Sequence, residues 1–146
     1  MLLKYAQNSF ISNEESTNPD NTFLIFRYAE ALLLRAEALA ELGQDEEAIK
    51  MVNLIRERAV APPYTGSGGQ ALKDFIFMER SRELVGEGFH FFDLIRTRRI
   101  LNSLWTYNPI TLDQFNRGGW TWPIANNALN NNPLMVLNMY WPNGGK

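Results

Sequence analysis

No cysteine occurs in the 146 residues, so structural disulfides, thiolate catalysis and cysteine-ligated zinc are excluded within this chain. There is one histidine, His90, and no Ser-His-Asp constellation is convincing around it. Carboxylates could hold calcium, but the D-x-D-x-D-G spacing of a calcium loop does not occur. Neither sign of charge dominates. A formal net charge of −2 argues against a nucleic-acid groove or a basic membrane-binding face. Long apolar runs are lacking too, so no segment is expected to span a bilayer. The opening MLLKYAQNSF does not read as a signal peptide. Either the protein is cytosolic, or the chain is a piece of something larger whose targeting end lies elsewhere.

What is present is helical periodicity succeeded by turn-rich sequence. Hydrophobic residues make up 45 %, enough for one core, and the length suits one domain over 1–146. Residues 1 to 22 read as an irregular lead-in, with Asp20 or Thr22 able to cap the helix after it. The spacing predicts a first helix over Phe23–Leu42, with Leu24, Tyr28, Ala31, Leu39 and Leu42 on one face and Gly43 ending it. A second helix, Asp45–Ala59, carries Ala48, Met51, Val52 and Ile55 on one face. The short connection makes the two antiparallel, and LAELGQDEEAI resembles the turn of a tetratricopeptide unit over 23–59. A single such unit must stack on something else to bury its own face.

PPYTGSGGQ lacks both a preceding strand and the Lys-Ser/Thr pair of a phosphate loop, so it reads as a flexible linker. A second helix pair is expected over 71–104, as Ala71–Val85 and Phe89–Leu104, broken at Gly86-Glu87-Gly88. From 105 to 146, prolines, paired glycines and an asparagine run predict an irregular wrap, with a helical turn near Thr111–Phe115. The fold class is mainly α: antiparallel helix pairs, one of them tetratricopeptide-like, with a loop-rich C-terminal region.

Charges fall where core positions are expected. On a helical wheel Glu79 and Glu83 lie on the stripe of Leu72, Phe75 and Ile76. Arg96 lies on the line of Phe89, Phe92 and Ile100, and Arg35 among Leu24, Tyr28, Leu39 and Leu42. A lone buried carboxylate costs several kcal/mol or becomes protonated. Glu79 and Glu83 are therefore expected to meet Arg35 and Arg96 in a structural charge cluster that fixes helix register. On that reading Arg96→Met costs more stability than Lys50→Met. Paired carboxylates can also cleave glycosidic bonds, but ion-paired ones are poor general acids, which favours architecture.

Four blocks occur in order: RYAEALLLRAEALAELG (27 to 43), NLIRERA (53 to 59), ERSRELVGEGFHFFDLIRT (79 to 97) and WPIANNALNNNPLMVLNMYW (122 to 141). Together they resemble the RagB/SusD family, over about Tyr5 to Pro142. The resemblance implies a C-terminal part of a surface-exposed outer-membrane lipoprotein. Such a protein binds oligosaccharides or other nutrients and lids a TonB-dependent, SusC-like transporter. It is a binding protein with no cofactor, metal or nucleic acid, meeting the membrane through a lipid anchor absent from this chain. His90 stands where the family usually has arginine, which implies a weaker or pH-dependent partner there. Alternatives are a helical-repeat scaffold for another protein and, third, a glycoside hydrolase.

Aromatic faces stack on pyranose rings while nearby amides bond the hydroxyls. Trp105, Tyr107 and Trp120, close to Asn108 and Asn116, are the candidate ligand-binding residues, whereas Trp122 is expected in the core. His90, beside three phenylalanines, is expected to be a packed side chain.

Overall fold

A computed structural model describes residues 25–132 and 134–141. Among them the regular structure is entirely helical. The chain divides into two compact units, one up to His90 and the other from Phe91. That boundary falls inside the span expected to hold the second helix pair.

In the first unit, α1 (Tyr28–Glu41) and α2 (Asp45–Arg58) form the antiparallel pair, and α3 (Gln70–Glu83) packs on both. Gly43 ends α1 at φ 73°, with the Gln44 N–H bonding the Leu39 carbonyl at 2.9 Å and the Gly43 N–H that of Ala40. This is a Schellman closure, and glycine meets its left-handed position without steric cost. The core joins Ala36, Ala40, Ala48, Val52, Leu72 and Ile76, with Ala29, Leu32, Leu33 and Ile55 as a neighbouring cluster. Alanines at the crossing let the backbones approach closely, so Ala36 and Ala48 are fully buried.

The face expected for α2 is the one observed, whereas that of α1 is rotated. Tyr28 is 78 % and Leu42 73 % exposed, Ala31 and Arg35 are exposed, and the buried side is Ala29, Glu30, Leu32, Leu33, Ala36 and Ala40. YAEALLLRAEALAE is apolar nearly all round, so several stripes fit its periodicity, and small-residue packing against α2 selects one. The helix begins after Arg27; Asp20 and Thr22, the expected caps, lie outside the described residues.

The loop 62–70 is tied down where a flexible linker was expected. The Tyr64 N–H donates to the Asn53 side-chain oxygen at 2.7 Å, and the Tyr64 ring lies 4.3 Å from that of Phe75. The Gly69 N–H donates to the Asp45 carboxylate at 2.8 Å, and a Cβ at Gly68 would collide with that carboxylate. The glycines thus permit a close approach between the starts of α2 and α3.

The fourth helix is shorter than expected. α4 (Phe89–Arg96) stops where Arg98 turns left-handed at φ 56°, and a single 3-10 turn, Arg99–Leu101, comes next. Its buried residues are Asp93 and Leu94, while Phe92 is 66 % exposed and Arg96 is exposed. Phe92 and Arg96 thus lie on the exposed side of α4, while Ile100, beyond the break at Arg98, is buried, so the expected stripe does not form one face. Two five-residue helices complete the regular structure of the second unit, α5 (Leu112–Asn116) and α6 (Asn126–Asn130). α5 opens with a capping box: Thr111 accepts from the Gln114 N–H, and the Gln114 side chain accepts from the Thr111 N–H at 2.8 Å. No helix among the described residues is long and apolar enough to cross a membrane.

Candidate functional site

The charged block resolves into a ladder of carboxylates. Glu79, Glu83 and Glu87 recur every four residues, the first two on α3 and the third in the turn after it. Glu79, 5 % exposed, accepts from Arg56 at 2.8 Å and from Arg82 at 3.1 Å. Glu83 is held by Arg27 at 2.7 Å and Arg58 at 2.6 Å. Arg27 also takes Glu87 through Nε at 2.9 Å and Nη2 at 2.8 Å, and donates to the Glu83 backbone carbonyl at 2.8 Å. One guanidinium therefore closes two carboxylates and caps an orphan carbonyl at the end of α3. The Glu87 side chain is 1 % exposed, and Gly86 and Gly88, both at positive φ, form the turn that brings it back to Arg27.

The electrostatics are a consequence of this geometry. Burial by itself would raise the Glu83 carboxyl, but the hydrogen bonds from Arg58 and Arg27 outweigh it and hold the group below the ordinary carboxylate range. The bond to Glu87 correspondingly raises Arg27 above its ordinary value.

The expected charge cluster thus exists with different cations. Glu79 and Glu83 are bound as anticipated, but Arg27, Arg56 and Arg58 do the binding. Arg35 is exposed on α1, and Arg96 holds Asp93 within α4 at 2.7 Å. The missed partners lay in view: Arg27 opens the first of the four sequence blocks, and Arg56 and Arg58 fall in NLIRERA. Wheel positions treat each helix alone, whereas arginines at or before helix ends reach across to a neighbour. Arg80, beside Glu79, is the largest fully buried side chain among the described residues. His90 lies 3.1 Å from the Ser81 hydroxyl, with the Phe77 ring 5.9 Å away; it is exposed rather than packed inside.

In the second unit the aromatic residues stand differently. Tyr107 is fully exposed and Trp120 is 38 % exposed, its ring 6.2 Å from that of Phe115. Trp105 is half-buried under the guanidinium of Arg99, 4.7 Å from the ring centre. Trp122, expected in the core, is 84 % exposed. Trp141, at the end of the same block, instead anchors it, donating from Nε1 to the Thr121 carbonyl at 3.2 Å. Asn138 ties the same strip together through the Thr121 hydroxyl and the Gly118 carbonyl. Among the described residues no group of three His, Asp or Glu side chains is arranged to hold a metal ion.

The first unit is a helix pair with a third helix tied on by a carboxylate ladder, and the second is a loop-rich, aromatic unit. The profile of the SusD family matches residues 1–141. The chain is 38 % identical over 130 residues to the SusD-like protein P38 of Formosa agariphila, covering 82 % of this chain and 25 % of that protein. It is 33 % identical over 93 residues to the SusD-like protein P25 of the same organism, covering 61 % of this chain and 18 % of that one. A crystal structure of a SusD homolog from Bacteroides thetaiotaomicron superposes with a TM-score of 0.77 at 49 % identity, covering 82 % of this chain and 26 % of that one. The chain belongs to the SusD family. It spans about a fifth to a quarter of the length of these matched proteins.

Proposed function

We propose that this chain is the part of a nutrient-binding protein that acts at the outer-membrane surface, capturing oligosaccharides and handing them to a TonB-dependent, SusC-like transporter. The observation that carries the reading is family membership across nearly the whole chain. A surface lipoprotein, held by a lipid anchor, is the location this function requires. No bond is broken in the mechanism. Glu79 and Glu83, the carboxylates that invite a hydrolase reading, are each engaged by two arginines. Glu83, so paired, is held below the ordinary carboxylate range and makes a poor general acid near neutrality.

Tyr107 and Trp120 offer open ring faces for stacking on sugar, and Trp105 offers an edge beside the Arg99 guanidinium. The test is calorimetry of the intact protein against a panel of oligosaccharides. Binding is expected, with a marked loss when Trp105 and Trp120 are both changed to alanine. Turnover of a chromogenic glycoside that disappears in Glu79→Gln would overturn the non-enzymatic reading. Co-purification with a transporter of the TonB-dependent class tests the hand-over.

A further inference from the structure

Arg98 has three properties that folding alone does not require. It occupies the left-handed position that ends α4, at φ 56°, where glycine is the usual residue. Its side chain is exposed and has no carboxylate partner among the described residues. Its guanidinium lies 5.7 Å over the ring of Phe115, whose other neighbour is the part-exposed ring of Trp120 at 6.2 Å. The acid of α5, Asp113, is taken by Arg117 at 3.4 Å, and Arg117 also donates to the Met139 carbonyl at 3.0 Å. A cation with no carboxylate partner among the described residues is therefore held on an aromatic ring beside a part-exposed indole.

We infer that Arg98, Phe115 and Trp120 form a subsite for an acidic saccharide, in which Trp120 stacks on the sugar ring and Arg98 pairs with its oxyanion. The inference rests on the glycan-binding reading above and narrows it to sugars bearing a carboxylate or a sulfate ester. Guanidinium chemistry suits this role: the planar fork takes two oxygens of either group, and the ring beneath restrains it without neutralising its charge. Neutral sugars would use the indole and leave the cation idle. Stacking the guanidinium on Phe115 also fixes its position before the ligand arrives, which lowers the ordering cost of binding.

Arg98→Gly separates recognition from folding, because glycine adopts φ 56° without strain while removing the cation. The intact protein and this variant would be titrated with tetragalacturonate, a sulfated carrageenan tetrasaccharide and neutral maltotetraose. Thermal unfolding of the variant should be unchanged or slightly raised. Its affinity for at least one acidic probe should fall roughly tenfold or more, the scale of one charge-assisted contact, and Arg98→Lys should recover part of it. Raised salt should weaken binding of the acidic probe to the parent protein and have little effect in Arg98→Gly. Acidic probes that bind Arg98→Gly and the parent equally overturn the subsite, as does binding of maltotetraose alone, and both leave the nutrient reading standing. Binding of none of the three overturns the subsite and the glycan reading together.

Discussion

The two units differ in the reach of their ion pairs. Up to His90, acids and arginines are drawn inward and closed on one another: Glu79 and Glu87 are almost wholly buried, and each meets a guanidinium. From Phe91 onward, Arg96–Asp93 and Arg117–Asp113 pair within a single helical turn, and Arg98 and Arg99 lie over aromatic rings, as Arg56 does over Phe75 in the first unit. The carboxylates of the charge-dense motif are engaged by arginines, whereas Tyr107 and Trp122 of the second unit stand in solvent.

The sharpest way to break this contrast is to open the ladder at its most connected member. Arg27→Met removes a partner of Glu87 and a partner of Glu83 and uncaps the end of α3. Loosening these buried carboxylates is expected to cost about 3 kcal/mol, measured by denaturant unfolding. A cost below ~0.5 kcal/mol would show that the ladder is not structural. Arg56→Met comes next at about 2 kcal/mol, because Arg82 still reaches Glu79. Arg58, more than half exposed, should cost less than either because solvent screens its pair.

Acid gives a second contrast. The folded Glu83 carboxyl is held below its ordinary value of 4.5, so its contribution to stability is complete above that value. It is lost as pH falls through the lower folded value. Helix protection in residues 70–90, monitored by amide exchange, should weaken below about pH 4.5 and not between pH 6 and 8. The four tryptophans, Trp105, Trp120, Trp122 and Trp141, all lie in the second unit. Their fluorescence therefore reports that unit separately. Loss of protection near neutrality would place the control of α3 in some group other than Glu83.

Part of this contrast was legible in the sequence. Helix existence, the turn at Gly43 and the buried face of α2 could be read because periodicity and turn chemistry agree there. The face of α1 could not, since a helix apolar nearly all round offers several stripes. The acids of the ladder could be found because buried carboxylates demand partners. The cations could not be assigned, because long arginine side chains act at a distance that a single-helix wheel ignores. In the second unit, aromatic composition suggested contact residues but not which ones face water. Trp122 was expected in the core and stands outside, while Trp141 carries the anchoring bond.

The smallest expected effect on stability is the one that separates recognition from packing. Tyr107→Ala and Trp122→Ala remove side chains exposed by 103 % and 84 %. Neither should change unfolding free energy by more than about 0.5 kcal/mol, the usual range for surface positions. A packed tryptophan would instead cost about 3–5 kcal/mol. If Tyr107 is a sugar platform, its variant keeps the stability of the parent and loses oligosaccharide affinity by ~5-fold or more, since stacking on an aromatic face contributes on the order of 1 kcal/mol. Trp122→Ala then becomes the informative control. Equal loss of binding in both extends the recognition surface into the WPI block, and loss in Tyr107→Ala alone confines it to the loop after the 3-10 turn. A large stability cost at either position would mean that these rings are covered in the intact protein, and the division between a closed charged unit and an open aromatic one would fail there.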